Sequence, residues 1–161
     1  MTASPLPPGS TIGILGGGQL GRMLSVAASR LGYKTHIYEP PANPPAADVA
    51  HACTTASYED HAALAAFAAS VDVITYEFEN VPVAPLRSIE ALVPIRPGIR
   101  ALEIAQDRVE EKLFAIGLGG RPAQLRGSAE GIPGSHAVRQ SLRTRGVPRD
   151  HCDARRRGLG D

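Results

Sequence analysis

Four groups of residues in this chain could do chemistry. Thr11 to Gly21, TIGILGGGQLG, runs from a short apolar segment into consecutive glycines, and Gly16, Gly18 and Gly21 meet the G-x-G-x-x-G spacing. Glycine has no Cβ, so such a turn bends tightly and lets a phosphate or sugar approach the backbone, where a following helix offers unpaired N–H groups. A glycine turn of this kind can equally do no more than pack a helix against a sheet. Glu39 lies 18 positions after Gly21, where dinucleotide enzymes keep a ribose-binding carboxylate. Tyr76, Glu77, Glu79 and Asn80 stand together just before Val81 and Pro82; two carboxylates and an amide could hold an amine or ribose hydroxyls, or else mark the acidic, proline-led start of a helix. Last, Asp107-Arg108 with Glu110, Glu111 and Lys112 reads as a solvated helix face, with Asp107-Arg108 a surface ion pair worth little.

The elements that must position these groups follow from apolar spacing. Ile12, Ile14 and Leu15 predict a strand before the glycines. Gln19 to Leu31 predicts a helix with Leu20, Met23, Leu24, Ala27, Ala28 and Leu31 on its core face, Met23 as a core filler and Gly32 as C-cap. Lys34–Tyr38 alternates as a strand, Asp48–His51 reads as a helical turn and Ala52–Thr55 as a short strand. Ser57 with Asp60 predicts a capping box for a helix carrying Leu64, Phe67, Ala68 and Val71. Val71–Tyr76 is a further strand, Leu86, Ile89 and Leu92 continue as a helix, Val93–Arg96 is a short last strand, and Ile99–Phe114 a final helix. Such alternation predicts an α/β fold, a Rossmann-like parallel sheet covered on both faces. Ligands bind at the carboxyl ends of strands in such sheets, so Tyr76, Glu77, Glu79 and Asn80 are expected on the same rim as the glycine turn.

Composition sets the limits. The 161 residues hold no apolar run of about 18, so no membrane span is expected, and MTASPLPPGS at the N-terminus carries no secretory pattern. Cys53 and Cys152 lie far apart without metal-type spacing and are expected reduced, as suits a cytoplasmic protein. His51 and His61 have no partner at ligand spacing, so both are expected at the surface and no metal is expected. The formal charge of +1 hides a division: residues 1–117 carry 8 Lys and Arg against 12 Asp and Glu, whereas 118–161 carry 9 Arg, no Lys and 4 acids. Residues 1–10 read as an N-terminal extension, 11–117 as the folded domain, and 118–161 as an Arg/Gly-rich tail too poor in apolar residues to offset chain entropy, hence poorly structured. The product of a shifted reading frame would have this composition. Arg155, Arg156 and Arg157 invite a nucleic-acid reading, but without interleaved aromatics or a binding module none is expected.

Three stretches in register, GILGGGQLGRM at 13–23, TYEFENVP at 75–82 and AQDRVEEKLF at 105–114, closely resemble the N-terminal pre-ATP-grasp domain of the N5-carboxyaminoimidazole ribonucleotide synthases, ATP-grasp enzymes of purine biosynthesis. The resemblance covers about residues 11–117. It implies an ATP-dependent ligase in which ATP and bicarbonate form carboxyphosphate and 5-aminoimidazole ribonucleotide is carboxylated on its exocyclic amine. By the same resemblance Gly18, Gln19 and Leu20 would lie against the ribonucleotide, Tyr76, Glu77 and Asn80 near its imidazole and ribose, and Arg108 would reach the ATP. Members of the family run to well over twice this length, with nucleotide-binding lysines and carboxylates for Mg2+ in lobes that follow. Nothing after Phe114 matches them, so the chain is expected to be a truncated portion, inactive alone and without a catalytic residue of its own; a homodimer is the assembly the resemblance implies. Two alternatives stay open: a NAD(P)-binding Rossmann module of an oxidoreductase, resting on Gly16, Gly18, Gly21 and Glu39, and a non-catalytic binding fragment.

Overall fold

A computed structural model of the protein describes residues 5–120; the expectations for the arginine-rich tail lie, from residue 121 on, outside the described residues. Four strands, β1 (Thr11–Leu15), β2 (Lys34–Tyr38), β3 (Ala52–Thr54) and β4 (Val73–Tyr76), form one parallel sheet in the order β3-β2-β1-β4. Register aligns Leu15 with Tyr38 and with Tyr76, so the three strands end level and their following residues share one rim. The helices are α1 (Gln19–Arg30), α2 (His61–Ala69), α3 (Val83–Ile89), α4 (Ile99–Gln106) and α5 (Arg108–Gly117), with a 3-10 turn at Pro45–Asp48.

Each face of the sheet is covered. One carries the main core, in which Leu15, Tyr38, Leu64, Phe67, Ile74, Leu86 and Leu102 are buried, with α2, α3 and α4 packed in succession. Each such side chain contributes about 1.5–3 kcal/mol on burial. The other face is smaller: Ile14 and Ile37 pack with Ala46 of the 3-10 turn, and α1 lies against the turn and the strands. The chain before β1 is tied to the start of β2, since Gly9 N–H donates to Gly32 O at 2.8 Å and the Tyr33 hydroxyl to Leu6 O at 2.9 Å.

Several expectations change on folding. The face that α1 turns inward is Gly21, Ser25 and Ala28, while Leu20, Met23, Leu24 and Leu31 are exposed by 56, 65, 42 and 70%. Met23 is therefore not a core filler. A helix seated closely on a sheet needs small residues at the contact, and a Cβ on Gly21 would stand 2.6 Å from Gly16 O. Val93–Arg96 is reduced to a single bridge between Ile95 and Ile74; Arg96 N–H donates to Ile74 O, and the donor position before it, Pro94, has no N–H with which to extend the ladder. The helix expected over 99–114 breaks at Asp107, whose extended backbone and side chain cap α5 by accepting from Val109 N–H at 2.8 Å and Glu110 N–H at 3.1 Å. Likewise α2 is capped by Asp60 accepting from Ala63 N–H at 2.9 Å, not by Ser57. The helical turn falls at 45–48, earlier than the expected 48–51.

Candidate functional site

The site grows from the level ends of β2, β1 and β4. Gly16 leaves β1 with φ +108°, a conformation open to glycine, and a Cβ there would run into the Glu77 side chain. Its N–H donates to Tyr38 O at 3.0 Å, while Glu77 N–H donates to Leu15 O at 3.1 Å, so the glycine turn and the Glu77 segment leave the sheet side by side. The N–H groups of the turn are then taken by carboxylates of the chain itself. Glu39 Oε2 accepts from Gly17 N–H at 2.6 Å, Glu77 Oε1 accepts from Gly18 N–H at 2.9 Å, and Glu77 Oε2 accepts from Gly21 N–H. A negative group at the first turn of α1 is what the helix dipole favours.

Behind the turn, Arg22 donates to Pro45 O and to Asp48 Oδ2, both at 2.8 Å, and Ala46 N–H donates to Gly17 O at 2.9 Å. These bonds hold the proline-rich loop against α1 and leave an open cleft of about 400 Å3 whose walls include Gly17, Gly18, Glu39, Asn43, Glu77 and Phe78. Glu39 and Glu77 are the charged residues of its wall, and their carboxylates suit N–H or O–H donors of a ligand.

Of the residues expected to bind ligand, Gly18 and Glu77 meet in this cleft. Gln19 and Leu20 open α1 beside Gly18 and are exposed. Tyr76 turns to the main core, and burial pushes its hydroxyl above the usual pKa. Asn80 is exposed in the turn before α3. Arg108 is 78% exposed and donates to Glu111 Oε2 at 2.6 Å, so the ion pair forms with Glu111 and not with Asp107. His51 and His61 are exposed, as is Cys53; Cys152 lies outside the described residues.

Three residues with a part in this region were not singled out by the sequence. Gln106 donates from Nε2 to Glu79 O at 2.7 Å and Val81 O at 2.8 Å, pinning the segment after Glu77 to α4. Its place in the AQDR stretch was the available signal. Tyr58 is buried beneath the rim and its hydroxyl is pushed far up, by burial first and then by Glu39, Glu77 and Tyr38. His36, behind the rim on β2, is lowered by burial and by His51. Ser70 donates to Phe67 O, so it accepts from His36 Nδ1–H at 2.9 Å, and His36 Nε2 is left to accept from Thr54 at 2.9 Å.

Residues 10–106 match the ribonucleotide synthetase preATP-grasp domain. The chain belongs to this family. It is 56% identical over 114 residues to the N5-carboxyaminoimidazole ribonucleotide synthase of Brucella melitensis, a match covering 71% of this chain and 32% of that one. Among solved structures, a purK N5-carboxyaminoimidazole ribonucleotide synthetase in complex with ADP is 42% identical with TM-score 0.71, over 77% of this chain and 33% of the other. The N5-carboxyaminoimidazole synthase of Aspergillus clavatus, in complex with ADP and 5-aminoimidazole ribonucleotide, is 29% identical with TM-score 0.68, over 88% and 37%. The chain thus spans about a third of the length of these relatives. For a preATP-grasp domain the carboxylates in the glycine turn have a plain consequence. Glu39 and Glu77 occupy the donors that a dinucleotide pyrophosphate would need, so the NAD(P) alternative is not favoured.

Proposed function

We propose that this chain supplies the ribonucleotide-binding part, residues 11–117, of an ATP-dependent ligase that carboxylates 5-aminoimidazole ribonucleotide with bicarbonate in purine biosynthesis. The observation that carries this is the pairing of Glu39 and Glu77 over a cleft next to the Gly16–Gly21 turn, in a chain 56% identical to a Brucella enzyme of that name. The turn keeps its shape by internal carboxylates, and these still present acceptors to an incoming amine or ribose hydroxyl. Gly18, Gln19 and Leu20 on one side and Glu77 with Asn80 on the other would bracket the ligand, Tyr76 would support Glu77 from the core side, and Arg108 would leave Glu111 for the nucleotide. ATP with Mg2+ supplies the activation of bicarbonate in such a ligase. Among the described residues no three His, Cys, Asp or Glu side chains converge on a metal-sized point, so no step is assigned here to the metal.

A homodimer and a cytoplasmic location belong to the same proposal. The exposed apolar residues Met23, Leu24 and Leu31 on α1 support the dimer, since grouped apolar surface is a feature of interfaces. Among the described residues no helix is long and apolar enough to cross a membrane. The test is a pair of calorimetric titrations of the purified chain, one with 5-aminoimidazole ribonucleotide and one with NADH. Saturable heat with the ribonucleotide alone is expected; binding of NADH alone would overturn the proposal.

A further inference from the structure

The proline-rich loop that follows β2 forms one wall of the cleft and is anchored at its base. Glu39 Oε2 accepts from Gly17 N–H at 2.6 Å, Ala46 N–H donates to Gly17 O at 2.9 Å, and Arg22 donates to Pro45 O at 2.8 Å. Pro44 is buried against Gly17 so closely that a Cβ on that glycine would stand 2.5 Å from the Pro44 Cβ. Between these anchors Asn43 has φ +55°, and among the described residues it is the one residue other than glycine with a positive φ. Its own Cβ disfavours that conformation, and a following proline pushes a residue toward extended backbone instead. Residues held in this way are kept there by their surroundings and collect at ligand sites. Asparagine tolerates a left-handed turn better than most residues, so conformation alone would account for its presence; its chemistry in the cleft goes further.

The donors of the cleft are few. Gly17 and Gly18 N–H are occupied by Glu39 and Glu77, and the prolines have no N–H. Of the side chains that line the cleft, the Asn43 carboxamide alone can donate at neutral pH, and Asn43 is exposed. The loop after β2 and the Glu77–Phe78 segment after β4 flank the β1 turn from opposite sides, because β1 lies between β2 and β4 in the sheet. An aminoimidazole ribonucleotide carries donors, in its amine and ribose hydroxyls, and acceptors, in its ring nitrogen and ribose oxygens. Carboxylates meet only the donors. An acceptor taken from water without a partner weakens binding.

We propose that Asn43 is a specificity-determining residue of the site: its side-chain N–H donates to a ring nitrogen or ribose oxygen of the bound ribonucleotide, while Glu39 and Glu77 take the ligand's donors. This role rests on the ribonucleotide reading of the cleft. The anchored loop holds the residue in place before the ligand arrives, so little order is lost on binding.

Calorimetric titration of 5-aminoimidazole ribonucleotide into the full chain and two variants tests the role. Asn43→Gly adopts the positive φ freely, so its melting temperature should stay within about 2 °C of wild type while its affinity falls about three- to tenfold. Unchanged affinity would leave Asn43 a turn residue and overturn the inference; so would a fall of more than about 5 °C in melting temperature, which would trace the weaker binding to a disordered loop. Asn43→Asp keeps the shape and an acceptor oxygen but has no N–H, so it should lose at least as much affinity as the glycine variant. Wild-type affinity in Asn43→Asp would show that the N–H is not used, and would overturn the inference. In NMR spectra of the wild-type chain the Asn43 side-chain amide signals should shift with added ribonucleotide and saturate with the calorimetric curve; signals that stay in place would overturn it as well. A wild-type chain that takes up no ribonucleotide refutes the proposed function and the role of Asn43 with it, whereas wild-type binding that survives Asn43→Gly undiminished refutes the role of Asn43 alone.

Discussion

Replacing Glu77 by Gln asks how much of the glycine turn is held by its own carboxylate. Glu77 accepts from Gly18 N–H at 2.9 Å and from Gly21 N–H, both at the start of α1. Glutamine keeps one carbonyl oxygen for one of these, and its amide NH2 must face the other, a donor set against a donor. Hydrogen bonds to charged groups contribute about 1.5–3 kcal/mol each, and a negative charge at a helix N-terminus about 0.3–1 kcal/mol. Losing one bond and the charge on the other should cost about 2–4 kcal/mol, or a fall of about 8–15 °C in melting temperature for a domain of this size. Glu39→Gln gives the internal scale, since Glu39 makes one such bond, to Gly17 N–H at 2.6 Å, and should cost about half as much. Thermal melts of the wild-type chain and the two variants, followed by circular dichroism, measure this; ribonucleotide affinity taken well below both transitions should fall as well. A Glu77→Gln melt within about 2 °C of wild type would refute the reasoning. So would a larger loss from Glu39→Gln than from Glu77→Gln.

Two other outcomes follow from burial and charge. Leu24→Lys, at a position 42% exposed, should change stability by less than about 0.5 kcal/mol, whereas Leu64→Ala in the main core should cost about 2–5 kcal/mol; sedimentation should show Leu24→Lys shifting a dimer to monomer. His36 has its pKa lowered from 6.5 by burial and by His51, so between that lowered value and 6.5 the unfolded chain binds more protons than the folded one. Stability should be fully present above about pH 6.5 and fall as the pH drops through that window, and melts at a series of pH values should show a shallower fall in His36→Gln.

The sheet was legible from local sequence, and much of the rim with it. Apolar runs ending in glycine or in glutamate define strands without reference to anything distant, and β1, β2 and β4 fall within two residues of their expected limits. Helix limits were less legible where one side chain changed the backbone, as Asp107 does between α4 and α5. Of the inward face of α1 only Ala28 was legible. Periodicity locates an apolar stripe, but Gly21, Ser25 and Ala28 face the sheet because close approach rewards small residues, and Leu20, Met23 and Leu24 are left outside.

Glu77 draws the same line at the site. Its nearness to the rim was readable from its place directly after a strand, because a parallel sheet brings strand ends together. That its carboxylate closes on Gly18 and Gly21, 59 and 56 residues away, is a property of the folded chain alone. Sequence by itself determined which residues reach the rim, through the local balance of strand, turn and helix. Tertiary structure decided what their side chains bind there, because a hydrogen bond depends on tenths of an ångström between segments whose separation no local pattern encodes.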